Sequence, residues 1–204
     1  MDNFGALLQS RFMLRDINVG LIVVCCVVLL SGCQNFAKKP SNCDMAGDFD
    51  FQNFQLTGKL ALSDGQEGGS GQFKWHHLKS ATTAQFKAPM GQGDWYIEET
   101  LDGATMIVNN EDSYHASSAT TLIEDAVGWP VPWEALKKWL VARPLNQEQA
   151  VIHTTENSKT ISEQGWDIVY DRFQEYPKAC LPHRIMASKP PYSIRLVIRD
   201  WQWP

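Results

Sequence analysis

The chain has 204 residues with 18 Lys and Arg against 23 Asp and Glu, a formal net charge of −5, and it carries eight tryptophans, nine phenylalanines and five tyrosines. No basic stripe runs along it, which excludes nucleic acid as a partner and argues against electrostatic docking on an anionic leaflet as the main attachment. The length suits one hydrophobic core and falls short of two independent domains.

In chain order, Arg11 and Arg15 precede a run from Val19 to Leu30 that holds only apolar residues, glycine and two cysteines. That is a positive n-region followed by a signal-peptide h-region. A segment of this length spans about 18 Å as a helix against a hydrocarbon thickness of about 30 Å, too short for a comfortable transmembrane anchor. Small residues at Ser31 and Gly32 let a peptidase reach the backbone just before Cys33. The stretch Leu30-Ser31-Gly32-Cys33 resembles the lipobox of bacterial lipoproteins. The resemblance implies a removed signal over 1–32, a diacylglycerol on the Cys33 sulfur and a further acyl chain on its freed amine. Gln34 stands where, in enteric bacteria, an aspartate resembles the signal for inner-membrane retention, so the expected place is the outer membrane, facing the periplasm. Two acyl chains, at about 0.8 kcal/mol per buried methylene, already hold a protein on a bilayer. Residues 33–50 lack hydrophobic periodicity and read as the lipidated tether, which leaves 51–204 as the folded domain.

Of the five cysteines, Cys25 and Cys26 belong to the signal and Cys33 to the lipid. Cys43 and Cys180 remain. An oxidising periplasm permits a bridge between them, but only if the tether docks, so pairing and free thiols both stay open. Without a CxxC pair or a His/Cys cluster, no zinc site is expected.

The folded part starts with Phe54, Leu56, Gly58, Leu60 and Leu62 on one face and Gln55, Thr57 and Lys59 on the other, the period of a half-buried strand. The turn 63–69 leads to a second strand with Gly71, Phe73 and Trp75 in phase, a hairpin with the first. Ala84, Phe86 and Ala88 predict a third strand, Trp95 and Ile97 open a fourth, and 104–108 and a piece around Tyr114 continue the meander. The period then changes. Ser117 and Ser118 cap a helix with Leu122, Ile123 and Ala126 on its apolar face, ended by Gly128. Pro132 opens a second helix with Trp133, Leu136, Trp139 and Leu140 on one side and Lys137 and Lys138 on the other, stopped by Pro144. Strands resume at 151–155, 160–162, 166–173, 184–187 and 193–201. The order predicts a mainly β, α+β fold: one antiparallel sheet of about ten strands, wide enough to curl, with helices on one face over a cavity.

No catalytic constellation stands out. Ser70 sits in a glycine-serine turn without nucleophile-elbow spacing. His76 and His77 end a strand without a metal-spaced partner and read as surface histidines. Asp44, Asp48 and Asp50 fall in the tether, Asp64 and Glu67 in a turn, and there is no phosphate-binding loop. The aromatic residues are more telling, since Trp129, Trp133 and Trp139 lie on or beside a short helix over a concave sheet and suit an apolar ligand. The apolar faces assign Phe73, Trp75, Phe86, Trp95 and Ile97 of the sheet and Leu122, Trp129, Leu136 and Trp139 of the helical segment to the cavity. Met90 stands between Pro89 and Gly91 in a segment too rich in glycine for a strand, so it either projects from a loop or packs back as a gap-filler.

A set of segments occurs in fixed order: 54–62 (FQLTGKLAL), 68–75 (GGSGQFKW), 89–93 (PMGQG), 122–140 around Gly128-Trp129-Pro130-Val131-Pro132, Gly165-Trp166, and Arg195-Leu196 with Trp201. Together with the lipobox they resemble the outer-membrane lipoprotein receptor family LolB of the lipoprotein-localisation pathway. The resemblance implies an incomplete antiparallel β-barrel of about eleven strands under a helical lid. It also implies a monomeric non-enzyme, without cofactor, that takes triacylated lipoproteins from the periplasmic carrier LolA and places them in the inner leaflet of the outer membrane without ATP. At the position of Met90 the family usually has a leucine that projects from its loop to deliver cargo into membrane lipids. A lipid-anchored envelope enzyme and a structural envelope lipoprotein are the alternatives.

Overall fold

Alternation of apolar and polar residues builds strands throughout, and the computed structural model of the protein describes them over residues 51–89, 93–176 and 179–203, apart from the side chain of Val127. Cys33, Cys43 and Met90 lie outside the described residues. The chain forms β1 (Phe54–Ser63), β2 (Gly68–Leu78), β3 (Ala81–Lys87), β4 (Asp94–Thr100), β5 (Gly103–Val108) and β6 (Asp112–Ala116). Two short helices follow, here α1 (Ala119–Val127) and α2 (Trp133–Trp139). The chain then returns as β7 (Val151–Thr154), β8 (Ser158–Glu163), β9 (Trp166–Tyr176), β10 (Ala179–Lys189) and β11 (Tyr192–Gln202).

All eleven strands join one sheet in the order β6-β5-β4-β3-β2-β1-β11-β10-β9-β8-β7. Among the described residues every pairing is antiparallel, and the only one between strands not consecutive in sequence is β1 with β11, where Leu60 faces Leu196. The edges β6 and β7 do not pair, so the sheet stays open. The chain leaves one edge, runs through both helices and re-enters at the other.

The hairpins define two ends. The β1–β2 turn, the β3–β4 loop and the β10–β11 turn lie at the rim; the β2–β3 and β4–β5 turns and the start of β1 lie at the base. Gly58 sits where β1 shifts register against β11, and a Cβ there would run into the Val197 carbonyl oxygen. Gly71 approaches β3 as closely, since a Cβ would meet the Lys87 carbonyl.

The helix termini follow the expected chemistry. Ser118 Oγ accepts from Thr121 N at the start of α1, and Gly128 closes it with φ 78, in the left-handed region. Two details differ from the sequence reading. Ala126 is exposed, because α1 turns Ala119, Leu122 and Ile123 inward instead. Pro132 is the N-cap of α2, one position before its first helical residue. Cys180, at the base end of β10, is disulfide-bonded, and the remaining cysteines, Cys43 among them, lie outside the described residues.

Candidate functional site

The inward phase of six strands presents apolar side chains to a single concavity: Leu60 and Leu62 of β1, Phe73 and Trp75 of β2, Ala84 and Phe86 of β3, Trp95 and Ile97 of β4, Ile185 and Ala187 of β10, Ile194 and Leu196 of β11. Ile123 of α1, Val131, Leu140 and the α2 residues Trp133, Leu136 and Trp139 cover it. The space inside amounts to about 720 Å³, counting the part open to solvent, and its exposed wall is entirely apolar. Tilted ring contacts organise the wall, with Trp75 and Trp133 centroids 4.6 Å apart and Phe86 and Trp95 4.8 Å apart. Near the base the lining is sealed, Trp75 and Ile97 each being 2% exposed. Leu60, Leu62 and Trp95, closer to the rim, are only half-buried. The cavity therefore opens toward the rim, where β3 ends and β4 begins.

Two carboxylates fix the cover. Glu99 of β4 accepts Ala119 N of α1 at 2.9 Å, Trp133 Nε1 at 2.7 Å and Lys137 Nζ at 2.5 Å, while Lys137 also reaches Glu134 at 2.7 Å. Glu163 of β8 accepts Trp139 Nε1 together with Leu145 N at 2.8 Å and Asn146 N at 3.2 Å. Burial pushes the Glu99 carboxyl up, but the Ala119 N–H, Lys137 and Trp133 outweigh it and hold the group below the usual carboxylate range. Burial likewise opposes the charge on Lys137, and the hydrogen bonds it donates to Glu134 and Glu99 leave it raised. His77, half-buried and bonded through Nδ1 to Thr82 Oγ1 at 2.8 Å, is lowered by burial first and by Lys137, Lys138 and His76 after it.

Seven of the nine residues assigned from sequence, Phe73, Trp75, Phe86, Trp95, Ile97, Leu136 and Trp139, line the cavity. Leu122 and Trp129 do not. Leu122 is a helix step away from Ile123, which takes the cavity-facing direction, and packs where α1 meets β4, β5 and β6. Trp129 stacks on Tyr192 at 4.8 Å and 13° and closes the core at the rim beside Trp166. His76 and His77 are half-buried rather than on the surface; His77, in phase with Phe73 and Trp75, packs its ring 5.4 Å from that of Phe54. Lys137 is drawn onto Glu99 instead of pointing into solvent, and Lys138 alone stays exposed. Sequence reasoning missed Glu99 and Glu163. Their one signal is phase: Glu99 follows Trp95 and Ile97, and Glu163 follows Ile161, on the inward side of a strand.

A family model described as "Outer membrane lipoprotein LolB" matches residues 52–201. The outer-membrane lipoprotein LolB of Stutzerimonas stutzeri (strain A1501) is 25% identical over 194 residues, 89% of this chain and 94% of the relative. That of Cellvibrio japonicus (strain Ueda107) is 29% identical over 157 residues, 74% and 77% respectively. Among solved structures, a LolA superfamily protein from Nitrosomonas europaea has a TM-score of 0.47 at 8% identity, over 76% of this chain and 88% of that one.

Proposed function

The chain belongs to the outer membrane lipoprotein LolB family, and from that premise we propose that it accepts triacylated lipoproteins from the periplasmic carrier LolA and releases them into the inner leaflet of the outer membrane without ATP. Lipoprotein localisation at the outer membrane is the role that family membership carries. In the proposed organisation residues 1–32 are removed as a signal, Cys33 carries the lipid, 33–50 form the tether and 51–204 act as a monomeric receptor. The observation that carries the reading is the covered cavity with a wholly apolar wall that opens at the rim.

A triacyl anchor has on the order of 45 methylenes and, at about 0.8 kcal/mol each, cannot cross water unshielded. Taking for each methylene the ~30 Å³ of a liquid water molecule, the anchor fills on the order of 1,300 Å³. The resting cavity, counted with the part open to solvent, amounts to about 720 Å³, so receipt of the whole anchor needs the cavity to enlarge or part of the anchor to stay outside it. Transfer then needs no chemical step, only rising affinity from carrier to receptor to membrane.

Ala88 and Gly93, the described ends of the β3–β4 connection, are joined by the bond from Ala88 N to Gly93 O at 2.8 Å. Met90 belongs to this loop, and in the proposed function it projects into lipid at release. The deciding experiment presents radiolabelled lipoprotein on LolA to the purified protein with no nucleotide. Movement of label supports the receptor; no movement, beside a functioning control receptor, leaves a lipid-anchored enzyme or a structural envelope lipoprotein.

A further inference from the structure

Lys74 of β2, Lys59 of β1 and Arg195 and Arg199 of β11 lie far apart in the sequence, yet the strand order β2-β1-β11 sets them side by side on the face of the sheet turned away from the cavity. Lys59 stands opposite Val197 on one side and Gln72 on the other. Arg195 and Arg199 flank Val197 along β11, and Lys74 follows Gln72 at the same phase of β2. Facing residues in a sheet have Cβ atoms about 5 Å apart and diagonal ones about 7–8 Å, so the four side chains share one patch. All four are exposed, and among the described residues none of them enters an ion pair. Nearby carboxylates have other cations: Asp171 accepts from Arg184, through Nε at 2.6 Å and a second guanidinium N–H, and Asp94 takes Lys87 at 2.9 Å. Asp200, opposite Thr57 and accepting Gln202 Nε2 at 2.7 Å, is set against the four cations. The chain as a whole carries −5, and the exposed side chains of the helical cover include Glu124 and Asp125 of α1 and Glu134 of α2. Val197, 38% exposed in the middle of the patch, and Ala61 and Met186, half-buried on either side of Arg195, leave apolar ground between the cations. Long basic side chains around such ground suit a layer of lipid phosphates, the stems lying along the surface and the charged heads reaching outward.

We propose that this face of the sheet rests on the anionic phospholipid headgroups of the membrane that holds the protein's lipid anchor, which turns the helical cover toward the periplasm. The acyl chains on Cys33 remain the attachment, and the basic face sets the orientation. The proposal rests on that lipid attachment, because residues 33–50, about 60 Å when fully extended, keep the patch within reach of the headgroups. The mature lipoprotein is placed in nanodiscs of phosphatidylcholine with a quarter phosphatidylglycerol, doped with a headgroup-nitroxide lipid, and the broadening of its backbone amides in NMR reports which side faces the bilayer. Each basic residue near an anionic surface adds to the bias, so broadening at Lys59 and Val197 should exceed that at Glu124 and Asp125 about tenfold or more. The preference disappears in phosphatidylcholine alone, in about 1 M salt, where exposed charges are screened, and in the double variant Lys59→Glu, Arg195→Glu. Should that variant not fold, Lys59→Gln with Arg195→Gln reduces the preference. Equal broadening on both sides in the anionic discs, or a preference that survives the loss of charge, overturns the proposal. Equal broadening together with shifts of the same β1 and β11 amides by soluble polyglutamate replaces the membrane with an acidic protein as the partner. Protein that elutes apart from the discs overturns the lipid attachment instead.

Discussion

Glu163 is a carboxylate behind an otherwise apolar wall, and taking it away strands three donors at once: the Trp139 indole and the backbone at Leu145 and Asn146. A buried donor left unpaired costs about 1–3 kcal/mol, so Glu163→Ala is expected to lose about 3 kcal/mol or more in urea unfolding at unchanged m value. A loss below about 1 kcal/mol means that water reaches these donors. Leu136, on the cavity side of α2, tests the lining itself. Burying such a side chain is worth about 1.5–3 kcal/mol, so Leu136→Gln should weaken binding of an acylated peptide roughly tenfold. Lys138→Gln should leave the affinity within about twofold, as the helix period puts that residue outside. Lys137 does not serve as the surface control, because its ammonium lies on Glu99. Equal losses at 136 and 138 show that the cavity does not hold the acyl chain. The inward phase of Glu99 and Glu163 is visible in the sequence, but their partners stand 17 to 38 positions away and no local pattern reveals them.

The elements themselves were legible because their causes are local. Phe73 and Trp75 stay in phase along β2, Ser118 and Gly128 bracket α1, and the glycines and aspartates between strands mark the turns. The pairing of β1 with β11 was not, since it joins residues at opposite ends of the domain. Nor was the direction of Leu122 and Trp129, which the packing of the helices on the sheet decides. The attachment of these helices also responds to acid. Glu99 is held below its ordinary value of 4.5, so its contribution is complete above that pH and is lost as pH falls through the depressed value. His77 is held below 6.5, chiefly by burial, so the unfolded chain takes up the proton first and stability declines once pH drops below 6.5. Melting temperatures between about pH 7.5 and about pH 3.5 should fall in two stages, and His77→Gln should remove the upper one. A flat wild-type profile from about pH 7 to about pH 5 rules out the histidine contribution. At the β3–β4 loop, Met90→Glu should still receive cargo from LolA yet release it poorly into liposomes, with the melting temperature almost unchanged. Normal release by a stable variant takes this loop out of delivery; a marked loss of stability makes Met90 a core residue.

At the scale of the whole molecule, attachment depends on one atom. If the Cys33 sulfur is the lipid acceptor, Cys33→Ala should accumulate as a precursor near 23.0 kDa that takes up no labelled palmitate. Retained label removes Cys33 as the site. The chain enters the sheet at the base while the cavity opens at the rim, so the full height of β1 separates the start of the folded domain from the opening. The unclosed sheet has one more consequence. A closed barrel hides all its strand edges, whereas this sheet ends, among the described residues, in two edge strands each paired on one side only, the kind of template on which fibrils and runaway polymers grow. The two end strands are built to discourage that growth. β6 has five residues, Asp112–Ala116, nearly all exposed, with a carboxylate, a hydroxyl and an imidazole among them, and β7 has only four, Val151–Thr154. Edges this short offer a second copy little to join. The protein can therefore keep its sheet open without offering a long edge on which copies of it could stack.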